Sequence, residues 1–257
     1  MTRTPVFLAP IVVGGAYLAA AKLAPLADGH FWIIVAAAAA VMLVALAVLL
    51  AFICRGLGRA AGARFMIAPL LFAVGAYGFL LLVETSGGRY GLTLGVMAGL
   101  GMYAEELRLA ARLRRLSDVQ AVEHFGHPLR LLGLFFLLAF LFGVNAFAHV
   151  PVAVRAIIAG LAAMLAAAPV FDAVLESKKA WTVSAAFALM MAELFAAFAL
   201  LPIAGLASAG ALTLLFSGCL HLTRQPFTAA ETPRQARRSF ASSIALTAVV
   251  LATAQWI

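Results

Sequence analysis

Long apolar runs separated by short polar or basic segments repeat along the whole chain. Runs of about twenty residues, the length a helix needs to cross hydrocarbon, fall at Phe7 to Leu26, Phe31 to Cys54, Phe65 to Val83, Leu131 to His149, Val152 to Phe171, Trp181 to Leu201, Ile203 to Leu222 and Ser239 to Trp256. A weaker candidate, fourth in order, begins near Tyr90 and has only a short apolar stretch before Glu105. Runs such as Phe31 to Cys54 lack the polar alternation of a barrel strand, so the pattern predicts helices.

Composition turns this pattern into a class. Hydrophobic residues are 65% of the 257 and charged residues 11%, with a mean hydropathy of +1.09; a soluble domain carries roughly 25% charged residues. The expectation is an all-α polytopic transmembrane bundle of about nine spans, a single membrane domain over residues 1–257. Arg3 followed by Phe7 to Ala21 has the features of a secretory signal peptide. The apolar run continues to Leu26, so it is read as a retained first span.

Charge decides the doubtful fourth span. With it included, alternate segments hold Arg3; Arg55, Arg59 and Arg64; Arg108, Arg112, Arg114, Arg115 and Arg130; Lys178 and Lys179; and Arg224, Arg234, Arg237 and Arg238, which is 15 of the 18 basic residues. Lys22, Arg89 and Arg155 remain on the other side. Without the fourth span the split degrades to 13 against 5. Basic loops stay in the cytoplasm, so nine spans are predicted with the N-terminus cytoplasmic and the C-terminus outside. The net charge of +8 is accounted for by these loops, and no nucleic-acid partner is expected.

The connections carry further signals. Gly91, Gly95 and Gly99 lie on one face of the fourth span and predict close helix packing there. Leu109, Leu113 and Leu116 share one face while Arg108, Arg112 and Arg115 share another, so the fourth helix is expected to continue as an amphipathic segment along the headgroups. Ser117 with Gln120 reads as a capping box, and Gly126 followed by Pro128 as a helix stop. Arg108, Arg112, Arg114, Arg115, Arg234, Arg237 and Arg238 together predict a cytoplasmic basic surface. Pro202 and Gly205 predict a tight outer hairpin between the seventh and eighth spans. The order of short outer and basic inner connections recurs at a shift of about 120 residues, with Leu92-Thr93-Leu94 falling on Leu212-Thr213-Leu214. One reading is a parallel duplication, 1–128 and 129–238, with 239–257 as an added span; the other is chance matching among alanine-rich helices.

Chemistry-bearing residues are few. Glu193 lies well inside the seventh span, with Ala186, Ala196 and Ala197 on its face, and an acid in hydrocarbon is a functional candidate by default. Its alternatives are a structural hydrogen bond between helices or a role in ion handling, with Thr213, Ser217, Asn145 or Tyr77 as expected partners. Asn145 and His149, one turn apart near the outer end of the fifth span, complete this candidate polar site. No two of the five histidines lie at matched depth in facing spans, which argues against haem. Cys54 and Cys219 lack metal-ligand spacing and are read as reduced and structural; no metal and no cofactor is expected. Glu105-Glu106 resembles the paired glutamates of intramembrane CAAX-type proteases, but Arg108 stands at the wrong spacing and the companion histidine motifs are missing. A helix-end role at the membrane boundary fits better. No Walker loop, late-span retinal lysine or aspartate-rich prenyltransferase motif is present.

Glu193-Leu-Phe195 followed by Leu201-Pro202, and the basic pair before an apolar helix ending at Trp256, resemble uncharacterised multi-pass membrane proteins of reduced-genome candidate-phyla bacteria. The resemblance covers roughly the last seventy residues and implies a bacterial cytoplasmic (inner) membrane, without an activity. The function expected is a non-enzymatic scaffold or partner subunit in the lipid bilayer, with a protein partner or a homo-oligomer. The alternatives are a small transporter or channel with Glu193 near its pathway, and an intramembrane enzyme.

Overall fold

The computed structural model describes residues 4–23, 30–57, 59–113, 116–173, 175–224 and 233–254. These form nine α-helices and no strand: α1 (Thr4–Leu23), α2 (Phe31–Leu57), α3 (Arg59–Leu80), α4 (Ser86–Leu113), α5 (Leu116–Gly143), α6 (Val152–Asp172), α7 (Ser177–Ala199), α8 (Gly205–Arg224) and α9 (Pro233–Thr253). Each predicted span falls on one helix, in order. Among the described residues α2, α5, α6, α7 and α8 are long and apolar enough to cross a membrane, and the apolar parts of α1 and α3 are shorter. Glycine and polar residues dilute α4, and arginine, serine and threonine dilute α9.

Two boundaries differ from the sequence reading. Gly126 and Pro128 do not stop a helix, because α5 runs through both. A proline forfeits one backbone hydrogen bond, and packing outweighs it here: Gly126 is buried, and a Cβ on it would meet the Tyr103 ring at 3.2 Å. Ser117 and Gln120 fall inside this helix, and their side chains lie outside the described residues, as do Arg114 and Arg115. The fifth span ends early, at Gly143 rather than His149, and a 3-10 turn, Val144–Ala146, follows. Pro151 disfavours helix in the residue before it and opens the way into α6.

The chain divides into two units, residues up to Gly133 and residues from Leu134, with the boundary inside α5. In the first unit α1 packs on α2 and α4, and α3 packs on the same two helices. The rings of Tyr17 and Tyr77 meet there at 5.4 Å, and α5 crosses α3 so closely that a Cβ on Gly133 would lie 2.6 Å from the backbone of Leu71 and Phe72.

In the second unit α6 pairs with α7 and α8 with α9. Ala156, Ala159, Gly160, Ala163 and Ala167 bury one face of α6, and small residues let two backbones approach where hydrophobic burial supplies no drive. A Cβ on Gly160 would lie 2.7 Å from the carbonyl oxygen of Ala188 in α7. On α7 the buried positions Ala180, Ser184, Phe187, Met191 and Phe195 recur every three or four residues, the stripe of a helix packed on one side. Phe187 joins Phe171 and Phe216, each with ring centroids at 5.6 Å, and Phe195 stacks on Phe142 at 4.4 Å.

Gly160→Val is expected to destabilise the protein by about 1–3 kcal/mol, the range for overpacking a tight contact, because the obstacle is backbone. Thermal unfolding in detergent measures it; an unchanged midpoint would show that α6 and α7 are not packed this closely.

Candidate functional site

The buried stripe of α7 decides where Glu193 points. Phe187, Met191 and Phe195 take the inner face, and at about 100° per residue Glu193 falls nearly opposite Met191 and Phe195. It is exposed, and among the described residues no hydrogen bond or ion pair reaches it. Beside it Ala186 and Ala197 are exposed, Ala196 is half-buried and Leu189 is 63% exposed, so among the described residues the small-residue face predicted around the acid is not packed against a neighbouring helix.

The expected partners lie elsewhere. Thr213 donates to the Ala209 carbonyl at 2.8 Å, the local bond of a helical threonine, and Tyr77 donates to the Val35 carbonyl at 2.7 Å. Ser217 is half-buried in α8. Asn145 is exposed in the 3-10 turn and His149 is exposed beyond it, so they do not share a helix face. The five residues therefore do not form one hydrogen-bonded site.

The predicted glycine face is also only partly a contact. A Cβ on Gly99 would lie 3.1 Å from the Phe72 ring, whereas Gly91 and Gly95 face open space. Of the predicted basic surface, Arg237 and Arg238 are exposed near the start of α9. Arg108 is not surface: it is 6% exposed and bound in two places to the carboxylate of Glu105, one turn earlier, with Nε at 2.7 Å. The side chains of Arg112 and Arg234 lie outside the described residues.

What the structure does assemble, and the sequence reading missed, is a set of side chains serving backbone carbonyls. A helix leaves its last four carbonyls without amide partners. Arg89 donates through Nη1 to the Ala21 carbonyl at 3.2 Å, in the last turn of α1, and through Nε to the Val83 carbonyl at 2.6 Å, just beyond α3. Arg155 donates to the Leu141 carbonyl at 3.1 Å, in the last turn of α5. Each arginine is the fourth residue of its own helix, α4 or α6, where the helix dipole disfavours a cation. The carbonyls of the neighbouring helix end, carrying the opposite partial charge, explain both placements. Lys22, in the last turn of α1, sits over the Tyr90 ring at 5.7 Å.

Tyrosines answer carbonyls deeper in the first unit. Pro69, inside α3, has no N–H to give the carbonyl of Phe65, four residues earlier. Tyr103 of α4 donates its hydroxyl to that carbonyl at 2.6 Å. Tyr17 of α1 donates to the Ala73 carbonyl, and Tyr77 crosses to α2. The missed signal was a proline in an apolar span, which marks a free carbonyl one turn before it.

Comparison with protein-family models, with curated proteins and with solved structures finds no match. The chemistry of the chain therefore rests on its own geometry.

Tyr103→Phe is expected to cost about 1–3 kcal/mol, the penalty of a buried carbonyl left without a donor. In a Pro69→Ala background, where the substituted residue returns an amide to the Phe65 carbonyl, the same change is expected to cost measurably less. Equal costs in the two backgrounds, read from thermal unfolding, would sever the link between Pro69 and Tyr103.

Proposed function

We propose that the protein is a non-enzymatic scaffold or partner subunit of a bacterial cytoplasmic membrane, crossing it nine times with the N-terminus inside. The observation that carries this reading is the outward placement of Glu193. An ion or substrate pathway is built from polar groups of several helices converging at depth, whereas here the one acid deep in α7 looks away from its own bundle. An outward polar group on an apolar helix face suits contact with another membrane component.

The nine-span orientation draws support from its exceptions. The three basic residues it leaves outside are Lys22, Arg89 and Arg155. Each has a local use at a helix end: Arg89 and Arg155 on terminal carbonyls, Lys22 over Tyr90 in the last turn of α1. Residues engaged in this way are not free loop charges of the kind that set orientation.

Reporter fusions after Arg64, Arg115, Lys179 and Arg238 are expected to report cytoplasm, and fusions near Asp28, Gly88 and the C-terminus the outside; a cytoplasmic C-terminus defeats the nine-span count. Liposomes carrying the wild-type protein or Glu193→Gln are expected to be equally impermeable to protons and monovalent cations. A flux that depends on Glu193 would replace the scaffold with a transporter.

A further inference from the structure

In the first unit α1 and α2 run antiparallel with an open groove between them. Two hollows of about 480 and 460 Å³ share Val12 and Val41, so they form one continuous recess. Buried alanines such as Ala16 and Ala38 make its floor, and exposed branched residues such as Leu8, Leu23 and Val44 make its rims. A Cβ on Gly15 would meet no atom within 4 Å, so the recess is unobstructed at its middle. An apolar recess does not hold water, and left empty it forfeits dispersion contacts along both walls. In a bilayer a hydrocarbon chain fills it. The half from Leu23 to Val12 is about 16 Å of helix long, the depth of one leaflet of a hydrocarbon core about 30 Å thick.

That half ends, at Leu23 and Ile34, in positive charge. Lys22 is exposed and stands two helical turns beyond Gly15 on the same face of α1. Arg89 reaches the adjoining Ala21 carbonyl, which sets a second cation at this level. α2 opens here at His30, whose carbonyl accepts from the amides of Ile33 and Ile34, so the positive end of its dipole lies at the same end of the groove. Glu84, next to the Val83 carbonyl that Arg89 holds, is exposed and among the described residues pairs with neither cation. Carbonyls satisfy the donors of Arg89 without cancelling its charge, so this end of the groove complements an anion.

We propose that the groove holds one phospholipid with a net negative headgroup, its phosphate beside Lys22 and one acyl chain lying along Gly15 and Ala16. The inference rests on the membrane reading above and adds the lipid that the first unit binds. A single ligand class combines a phosphate with an apolar chain one leaflet long, and the groove offers a cation and a recess in that order. The phosphate sits where Lys22 and the start of α2 both favour it. Nine spans put this end of α1 outside, so the lipid belongs to the outer leaflet.

The test uses the full chain, extracted from bacterial membranes in mild detergent and weighed intact by native mass spectrometry, with phosphatidylglycerol and phosphatidylcholine as probes. The wild-type chain is expected to carry one lipid and to retain phosphatidylglycerol over phosphatidylcholine. Lys22→Gln is expected to weaken phosphatidylglycerol about five-fold, the worth of one surface cation to an anionic lipid, and phosphatidylcholine less; Lys22→Arg should keep the preference. Gly15→Phe and Ala37→Phe, which fill the groove from its two walls, are expected to lower both lipids alike, and Gly95→Phe, in equally open space on α4, to lower neither. A folded, carbonate-resistant chain that carries no lipid, one that holds the two lipids equally, or a loss from Gly95→Phe as large as from Gly15→Phe would each overturn the lipid site alone. So would a protein, in place of a lipid, displaced by Gly15→Phe. A chain released from membranes by alkaline carbonate would overturn the membrane reading and the site with it.

Discussion

Backbone carbonyls in apolar surroundings must find donors, and a helix always leaves some over. Four remain at every C-terminal end, and each internal proline adds one from the preceding turn. Pro10, Pro69, Pro128 and Pro169 all lie inside helices of this chain. Side chains meet part of this surplus: Arg89 and Arg155 hold the ends of α1 and α5, and Tyr103 serves the Phe65 carbonyl that Pro69 strands, while Tyr17 and Tyr77 add hydroxyl bonds to the Ala73 and Val35 carbonyls inside α3 and α2. These residue types suit the task, since arginine reaches several carbonyls with a permanent charge and tyrosine brings a single donor on a ring that packs as an apolar body.

Where side chains cannot tie helices, absence of side chain does. Gly133 admits α3, Gly160 admits α7, and a Cβ on Gly218 of α8 would lie 2.8 Å from Ser243 of α9. Close approach multiplies small dispersion contacts, the main attraction between helices whose surroundings are as apolar as themselves. Crowded contacts of this kind fall on different glycines from those the spacing rule selected. Gly91-Gly95-Gly99 has the spacing, but only Gly99 has a neighbour within reach.

Helix number and order were legible in the sequence because they follow from apolar run length, a one-dimensional property. Every predicted span falls on a helix, including the doubtful one at Tyr90, although α4 and α9 are not among the helices long and apolar enough to cross a membrane. The ends were less legible: a proline in an apolar chain looks like a stop at Pro128, yet burial of Gly126 against Tyr103 carries α5 onward. The candidate polar site failed to gather because depth can be read from position in a run, whereas direction needs the helical phase. That phase was present in Phe187, Met191 and Phe195, whose spacing turns Glu193 outward. Arg89 and Arg155 were read as loop charges because nothing local in sequence shows which carbonyl, 14 or 68 residues away, a guanidinium will reach.

The bond from Tyr103 to the Phe65 carbonyl also bears on how this chain varies over time. Proline at 69 and a hydroxyl at 103 form one heritable unit: proline alone strands an acceptor, and where another residue fills position 69, its amide serves the carbonyl and the selective reason for tyrosine weakens. Positions 69 and 103, on different helices and 34 residues apart, are thus expected to change together among descendants of this sequence. Buried aliphatic neighbours such as Leu71, whose side chain has no polar atom, are freer to drift among apolar residues of similar size.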